Sequence, residues 1–221
     1  MNKVEKMKVS TCLNPLHTAL ALSGCLLGFN LICDEMKDSD LKKMVEILGY
    51  KEGLPVVVDP KIINPKNFID EVIKKRLPNP FMPDTPQRIA TDTSQKLSVR
   101  FGETAKAYLA DKNLDASGLK IVPLVFALWL RYLLAIDDNG NAFELSPEPL
   151  LPTLKSALSG ISLGENDSEK IEPKIKNLLK NEKIFGFDVA SSPLYEKVKN
   201  YFMKMISGKG KVRETIHEAV N

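Results

Sequence analysis

Apolar residues are most densely and evenly placed between Pro15 and about Met36, where Leu16, Leu20, Leu22, Leu26, Leu27, Phe29, Leu31 and Ile32 cover nearly the whole circumference of a helix. A helix that is apolar on every side is expected to be central and surrounded. Gly24 and Gly28, one turn apart, would let a second helix approach its backbone closely. Asp40 to Leu48 predicts a second helix, with Leu41, Met44, Val45 and Leu48 at helical spacing and Gly49 as its stop. Leu54 to Pro65 holds three consecutive valines between prolines and reads as a short strand or an extended connector. A third helix is expected from Asn67 to about Arg76, and four prolines from Leu77 to Pro86 then impose a stiff, extended loop.

The spacing next predicts one long helix from Pro86 to about Ala110 and a buried helix from Leu119 to Ile136, closed by a turn at Asp137-Asp138-Asn139-Gly140. Asn141 to Leu145 suggests a brief strand, and Glu148–Leu158, Ser168–Leu179 and Leu194–Ile206 show helical periodicity. The fold class expected is therefore mainly α, a multi-helical domain with at most short β segments. No fixed-period repeat is visible, which sets solenoids aside.

Composition narrows the function more than the fold. The 31 basic and 28 acidic residues are interspersed, with a formal net charge of +3, so no cationic stripe offers itself to nucleic acid. Two apolar runs, Thr18 to Cys33 and Ile121 to Ile136, contain Asn30 and Arg131 and fall short of the ~18 residues that a membrane span needs. Cys12, Cys25 and Cys33 make no CxxC pair and, with only His17 and His217 besides, make a structural zinc site improbable. An odd cysteine count without a signal sequence suits reduced thiols in the cytoplasm. No strand leads through GxGxxG into a helix, and no GxxxxGK[ST] loop is present. Ser207-Gly208-Lys209-Gly210-Lys211 follows a helix, so it reads as a helix stop and hinge.

Three groups near the start of the first long helix could carry chemistry. Asn14 is placed as an N-cap, Pro15 as the first helical residue, and His17 lies on the same side of the opening turn. One reading is a cap and a satisfied histidine. The other is an amide and an imidazole converging, at the positive end of a helix, on an oxygen where charge develops. Lys8 is either a solvated charge or a base, because a lysine among cations and shielded from water can accept a proton from a hydroxyl. Further on, Arg88, Asp92, Lys96 and Arg100 stand four apart, as in an exposed ion-pair ladder or a cationic substrate site. Asn79 before Pro80 suits a turn opening, and Cys25, Cys33 and Trp129 suit the core.

Two ordered stretches are similar to one family. Lys8-Val-Ser-Thr-Cys-Leu-Asn14-Pro-Leu-His17 resembles the K-x(4)-N-x(2)-H region of the polyol-specific long-chain dehydrogenases, the mannitol dehydrogenase family, which includes mannitol 2-dehydrogenase, fructuronate reductase and tagaturonate reductase. Arg76-Leu-Pro-Asn79-Pro, with Asp84, Arg88, Asp92, Ser94 and Lys96 following, resembles its R-x-x-N-P…D…R-I-x-x-D-x-S-x-K region. The resemblance implies a helical C-terminal domain, like those of mannitol and 6-phosphogluconate dehydrogenase-like enzymes, packed on an N-terminal Rossmann-type domain that binds NAD or NADP. On that basis residues 1–13 are expected to form the junction from this missing domain, and 14–221 the helical catalytic domain.

The resemblance also implies metal-independent hydride transfer between NAD(P) and a secondary alcohol of a sugar alcohol or sugar acid. The roles carried across are Lys8 as general base, Asn14 and His17 as ligands of the reacting oxygen, and Arg88, Thr91 and Lys96 as substrate contacts. In the family the lysine stands five residues before the asparagine, where this chain has Val9, so Lys8 matches with one extra residue in between. Thr91 replaces a histidine that mannitol 2-dehydrogenase uses, which argues against mannitol itself as substrate. A non-catalytic helical interaction or dimerisation module, and a hydroxyacid-type dehydrogenase, are the alternative readings.

Overall fold

A computed structural model describes residues 2–221. In chain order its α-helices are α1 (Lys3–Met7), α2 (Asn14–Leu27), α3 (Ile32–Glu35), α4 (Ser39–Glu46), α5 (Pro65–Glu71), α6 (Pro86–Ile89) and α7 (Glu103–Ala110). They continue with α8 (Ile121–Tyr132), α9 (Leu151–Ala157), α10 (Ser168–Leu179), α11 (Glu182–Phe185), α12 (Tyr195–Ile206) and α13 (Lys211–Val220). Among the described residues the only β pairing is an isolated bridge between Ile136 and Ala142, so Asn141–Leu145 is not a strand. Leu54–Val56 is a 3₁₀ turn, which makes the Leu54–Pro65 segment a connector.

Every residue of α8 is buried, and α12 packs along it, with α2 and α13 against other faces. An edge-to-face cluster of Phe101, Phe126, Phe185 and Trp129 fills the space beside it. The side chains of two distant acids complete the ends of these helices. Glu52 accepts hydrogen bonds from the backbone N–H groups of Lys120 (2.6 Å), Ile121 (2.8 Å) and Val122 (2.9 Å), the first turn of α8. Asp138 does the same for Val212 (2.8 Å) and Arg213 (3.1 Å) at the start of α13. The fully buried Arg131 donates to the carbonyl oxygens of Met205 (3.3 Å), Ile136 and Asp137 (3.1 Å), tying the end of α8 to α12. A guanidinium in the core is tolerable because its donors are thus matched.

The first expected helix is shorter than its apolar pattern. It stops at Leu27 because Gly28 adopts a left-handed conformation (φ 78°), and the chain re-enters a helix only at α3. Gly24 is the position of close approach: a Cβ there would lie 2.8 Å from Pro86 Cγ and against the Glu35 carboxyl. The single helix expected from Pro86 to Ala110 is broken into α6, a 3₁₀ turn at Thr93–Gln95, a π-helical turn at Ser98–Gly102, and α7. Asp92 sits at φ 52°, its N–H donates to Pro147 O (2.9 Å), and Glu148 accepts from both the N–H (2.9 Å) and the hydroxyl (2.5 Å) of Ser94. Thr91, Asp92, Thr93 and Ser94 are all residues whose side chains compete with helical hydrogen bonding, and the loop from α8 to α9 supplies the alternative partners. Ser207–Lys211 does stop α12, and a further helix, α13, follows it. Among the described residues no helix is long and apolar enough to cross a membrane.

Candidate active site

Met7, Ser10, Thr11 and Cys12 are buried, so the first helical segment is packed into the domain. Between α1 and α2 the chain makes a π-helical turn over Lys8–Cys12, closed by the N–H of Leu13 donating to Lys8 O at 3.1 Å. An i→i+5 turn inside a helical run holds one residue more than an α-turn, which is the extra residue needed to match Lys8 with Asn14. Lys8 and Asn14 then line one open cleft of about 840 Å³, with Pro60 and the exposed Ile62 on its opposite lip. The ammonium of Lys8 stands 5.4 Å from the centroid of the Phe68 ring, a cation–π contact that holds it at the cleft wall.

Asn14 is not the N-cap. The helix begins with Asn14 inside it, Leu13 occupies the cap position, and the N–H of His17 donates to Leu13 O (3.1 Å). Pro15 contributes no donor, so a side-chain cap is less needed there. Among the described residues the Asn14 amide makes no hydrogen bond, while its backbone oxygen accepts from the Thr18 hydroxyl (3.0 Å).

His17, one turn further on, does not line the cleft of Lys8 and Asn14 but a separate small recess of about 10 Å³, with Arg76, Met82 and Asp84. Its Nε2 lies 3.3 Å from Asp84 Oδ2, yet the contact lacks hydrogen-bond alignment and leaves this buried nitrogen without a partner among the described residues. Burial first, and then the charges of Arg100, Arg76, Arg88 and Lys96, lower the imidazole pKa to about 4. The ring is therefore neutral near pH 7 and offers one N–H donor and one acceptor. Ile32 N–H donates to Asp84 O (3.0 Å), which fastens the proline-rich loop to α3 and so presents Asp84 to His17.

The second motif does not form a ladder. Arg88 pairs with Asp84, four residues before it, through Nη2, and because the helix breaks after α6, Lys96 turns inward to donate to the carbonyl oxygens of Ile89 (3.3 Å) and Thr91. Burial is the main cause that lowers the Lys96 pKa, followed by Arg100. Arg100 donates to the Thr18 hydroxyl on α2, and burial lowers its pKa to about 10. Thr91 is half-buried in the turn after α6. Lys8 and Asn14 thus share a cleft, His17 and Arg88 share Asp84, and Lys96 is held beside Thr91.

The sequence motif contains Asp84 but assigns it no role, and nothing in the sequence singles out Phe68. Asp84 was findable as the only acid in the proline-rich loop. Phe68 had no local signal, since its importance comes from Lys8 lying above it. Asn79 is structural, its side chain accepting from Phe81 N–H (2.9 Å). The three cysteines are buried free thiols, and burial raises Cys12 and Cys25 to about 12, which makes those two poor nucleophiles.

Residues 1–206 match the model of the mannitol dehydrogenase C-terminal domain. A D-mannonate oxidoreductase of Thermotoga maritima is 54% identical over 220 residues, covering 100% of this chain and 40% of the relative. A mannitol 2-dehydrogenase of Aspergillus clavatus is 28% identical over 211 residues, covering 95% of this chain and 38% of the relative. The fold is similar to that of Pseudomonas fluorescens mannitol 2-dehydrogenase, solved as a ternary complex with NAD and D-mannitol, with a TM-score of 0.82 at 22% identity over 98% of this chain and 40% of that one. The chain spans about 40% of the length of these proteins. It belongs to the mannitol dehydrogenase family, whose C-terminal domain it matches.

Proposed function

We propose that this chain is the catalytic, substrate-side domain of an NAD(P)-dependent oxidoreductase that interconverts a secondary alcohol of a polyol or aldonate with the corresponding ketose or keto-uronate. The junction to a preceding Rossmann-type domain falls in residues 1–13. The observation that carries this reading is the π-helical turn, which sets Lys8 and Asn14 on one cleft with neutral His17 one turn beyond.

The chain has no glycine-rich phosphate cradle of its own, but the open cleft lined by Lys8 and Asn14 suits an alcohol oxygen presented beside a nicotinamide held by another domain, with His17 Nε2 buried and unpartnered among the described residues in a separate small recess one turn beyond. The bound nicotinamide would supply the hydride acceptor, or the donor in the reverse direction. The residues of this chain manage the proton and the oxygen. Lys8 Nζ, as the free amine, takes the hydroxyl proton as the carbinol C–H bond breaks, and as the ammonium returns it to the oxygen in the reduction. The Asn14 amide and His17 imidazole hydrogen-bond the oxygen, favouring the partial charge that develops on it. A histidine kept neutral can act in this way without repelling the cations around it. Arg88, Thr91 and Lys96 contact the remaining substrate groups.

The test is NADH consumption by this chain joined to whatever its reading frame encodes upstream, with fructose, fructuronate and tagaturonate as substrates. Turnover of at least one, with losses of about 100-fold in N14A and H17A, is the expected result. Absence of turnover with every sugar ketone, or full activity in both variants, refutes the proposal and favours a non-catalytic helical module.

A further inference from the structure

We infer that the cavity behind the Lys8–Cys12 turn is a second binding site of this chain, separate from the Lys8 cleft and built for a short neutral polyol. The claim concerns binding alone and does not rest on the oxidoreductase reading.

Where the unpartnered hydroxyls lie is the observation that carries it. The buried hydroxyls of Thr18, Ser23, Thr93, Ser94, Ser146 and Thr215 each donate to an acceptor within the chain. The remaining buried serine and threonines are Ser10, Thr11 and Thr104, only 7%, 6% and 5% exposed, and their hydroxyls make no hydrogen bond among the described residues. All of them line one cavity of about 250 Å³. Unlike the sealed carboxyl of Glu35, their oxygens open onto that space. A buried hydroxyl left unpaired is costly, so a cluster of them around one cavity marks a place where a partner belongs.

The turn explains why these groups are free. A helical serine or threonine usually satisfies its hydroxyl on a carbonyl one turn back, and the i→i+5 register over Lys8–Cys12 disturbs that pairing for Ser10 and Thr11. The Thr11 methyl is taken up elsewhere: a Cβ added at Gly53 would lie 2.8 Å from Thr11 Cγ2, so the methyl packs on that glycine and the hydroxyl is left to the cavity. Ser10 stands two residues after Lys8, a spacing that does not share a helix face, and the cavity has no lining residue in common with the Lys8–Asn14 cleft.

The lining also selects the ligand. Val56, Val58 and Ala107 supply apolar wall beside the hydroxyls. The lining charges, Lys6 and Glu103, are paired with each other (3.5 Å), and Lys106 also holds Glu103 (2.5 Å), so an ion meets no free counter-charge. A hydrocarbon would leave the hydroxyls unpaired. A polyol offers groups that both donate and accept, together with C–H surface for the valines. The volume falls below the ~300–1,000 Å³ of pockets for drug-sized ligands, which limits the guest to a chain of about four carbons.

The experiment uses the full-length protein, this chain together with what its reading frame encodes upstream, with threonine methyl groups labelled for NMR and erythritol as the probe. Thr11 and Thr104 report on the cavity, and Thr91 reports on the catalytic side. Wild type is expected to show saturable shifts of the Thr11 and Thr104 signals, with a Kd on the order of 10 mM because only neutral hydrogen bonds are made. S10A, and T104V read at Thr11, should each weaken binding by about fivefold, and A107L, which fills the cavity, should abolish it. 1,4-Butanediol, the same chain without the inner hydroxyls, should bind at least about fivefold more weakly. Each variant is first checked for an unchanged melting temperature, and S10A and T104V decide if A107L does not fold. Shifts that rise linearly with erythritol, that butanediol reproduces, or that survive in A107L would show that the cavity takes up solvent only and overturn the proposal. Movement of Thr91 without Thr11 and Thr104 would place erythritol in the catalytic cleft alone, with the same consequence.

Discussion

Replacing Glu35 by glutamine should make the domain more stable, and increasingly so as the pH rises. Glu35 lies on α3 with its side chain fully buried against Gly24 of α2 and Pro86 of α6, and neither carboxyl oxygen has a hydrogen-bond partner among the described residues. Burial, and to a lesser extent the neighbouring Asp38, raise its pKa well above the ordinary 4.5. The folded chain therefore keeps the acid protonated over a range in which the unfolded chain has released the proton. Below about pH 4.5 both states are protonated and the residue contributes no pH dependence. Above it, the unfolded state gains about 1.4 kcal/mol per pH unit relative to the folded one, until the folded pKa is passed and the difference levels off. A glutamine of the same shape carries no proton to lose. Two pH units inside that window correspond to about 3 kcal/mol, a large part of the ~5–15 kcal/mol that holds a domain together. Urea unfolding followed by the fluorescence of Trp129, the single tryptophan, would measure both proteins from pH 5 to 8. The stability of E35Q minus that of wild type should climb with pH, and parallel curves would show that Glu35 ionises freely in the folded state.

Two further outcomes follow from the same structure. His17, lowered to about 4 from 6.5, should show no imidazole titration by NMR between pH 5.5 and 8. Its sign is opposite to that of Glu35: the unfolded chain takes up the proton first, so this contribution is intact above pH 6.5 and is lost as the pH falls toward 4, and a ring midpoint near 6.5 would contradict the burial described for it. The E52A variant removes a carboxylate that accepts from three backbone N–H groups and should cost about 2–4 kcal/mol, read as a fall in melting temperature with the helical circular dichroism retained below it. A change under about 0.5 kcal/mol would mean that the start of α8 is held by its apolar packing alone.

How much of this was legible in the sequence depended on the range of the forces involved. The bounds of α10, Ser168–Leu179, were given by periodicity, and α8 and α12 were placed to within a few residues, because one apolar face or a wholly apolar circumference is a local property. The break in the expected Pro86–Ala110 helix was not local. It depends on Glu148 and Pro147, more than fifty residues away, receiving the hydrogen bonds of Ser94 and Asp92. The caps that Glu52 and Asp138 supply cross gaps of 68 and 74 residues, and no nearby sequence pattern announces them. Among the site residues, Lys8, Asn14 and His17 could be singled out by type and order, and Asp84 and Arg88 stand at a local four-residue spacing, whereas the inward turn of Lys96 onto Ile89 and Thr91 follows from the same break.

The spacing of Lys8 and Asn14 shows why counting residues along a helix is a weak test of a site. Taken as regular α-helix, one additional residue rotates everything before it by about 100° about the axis, which would carry a lysine from one face to another. A π-helical turn absorbs that residue locally, at the expense of poorer hydrogen bonding over one turn. Here the absorbing turn lies between Lys8 and Asn14, with Ser10, Thr11 and Cys12 buried inside it. Packing of those three side chains fixes the phase of the helix on one side, and the apolar circumference of α2 fixes it on the other. The lysine is thereby returned to the cleft that Asn14 lines, and its distance in sequence from the asparagine ceases to bear on what the two can do together.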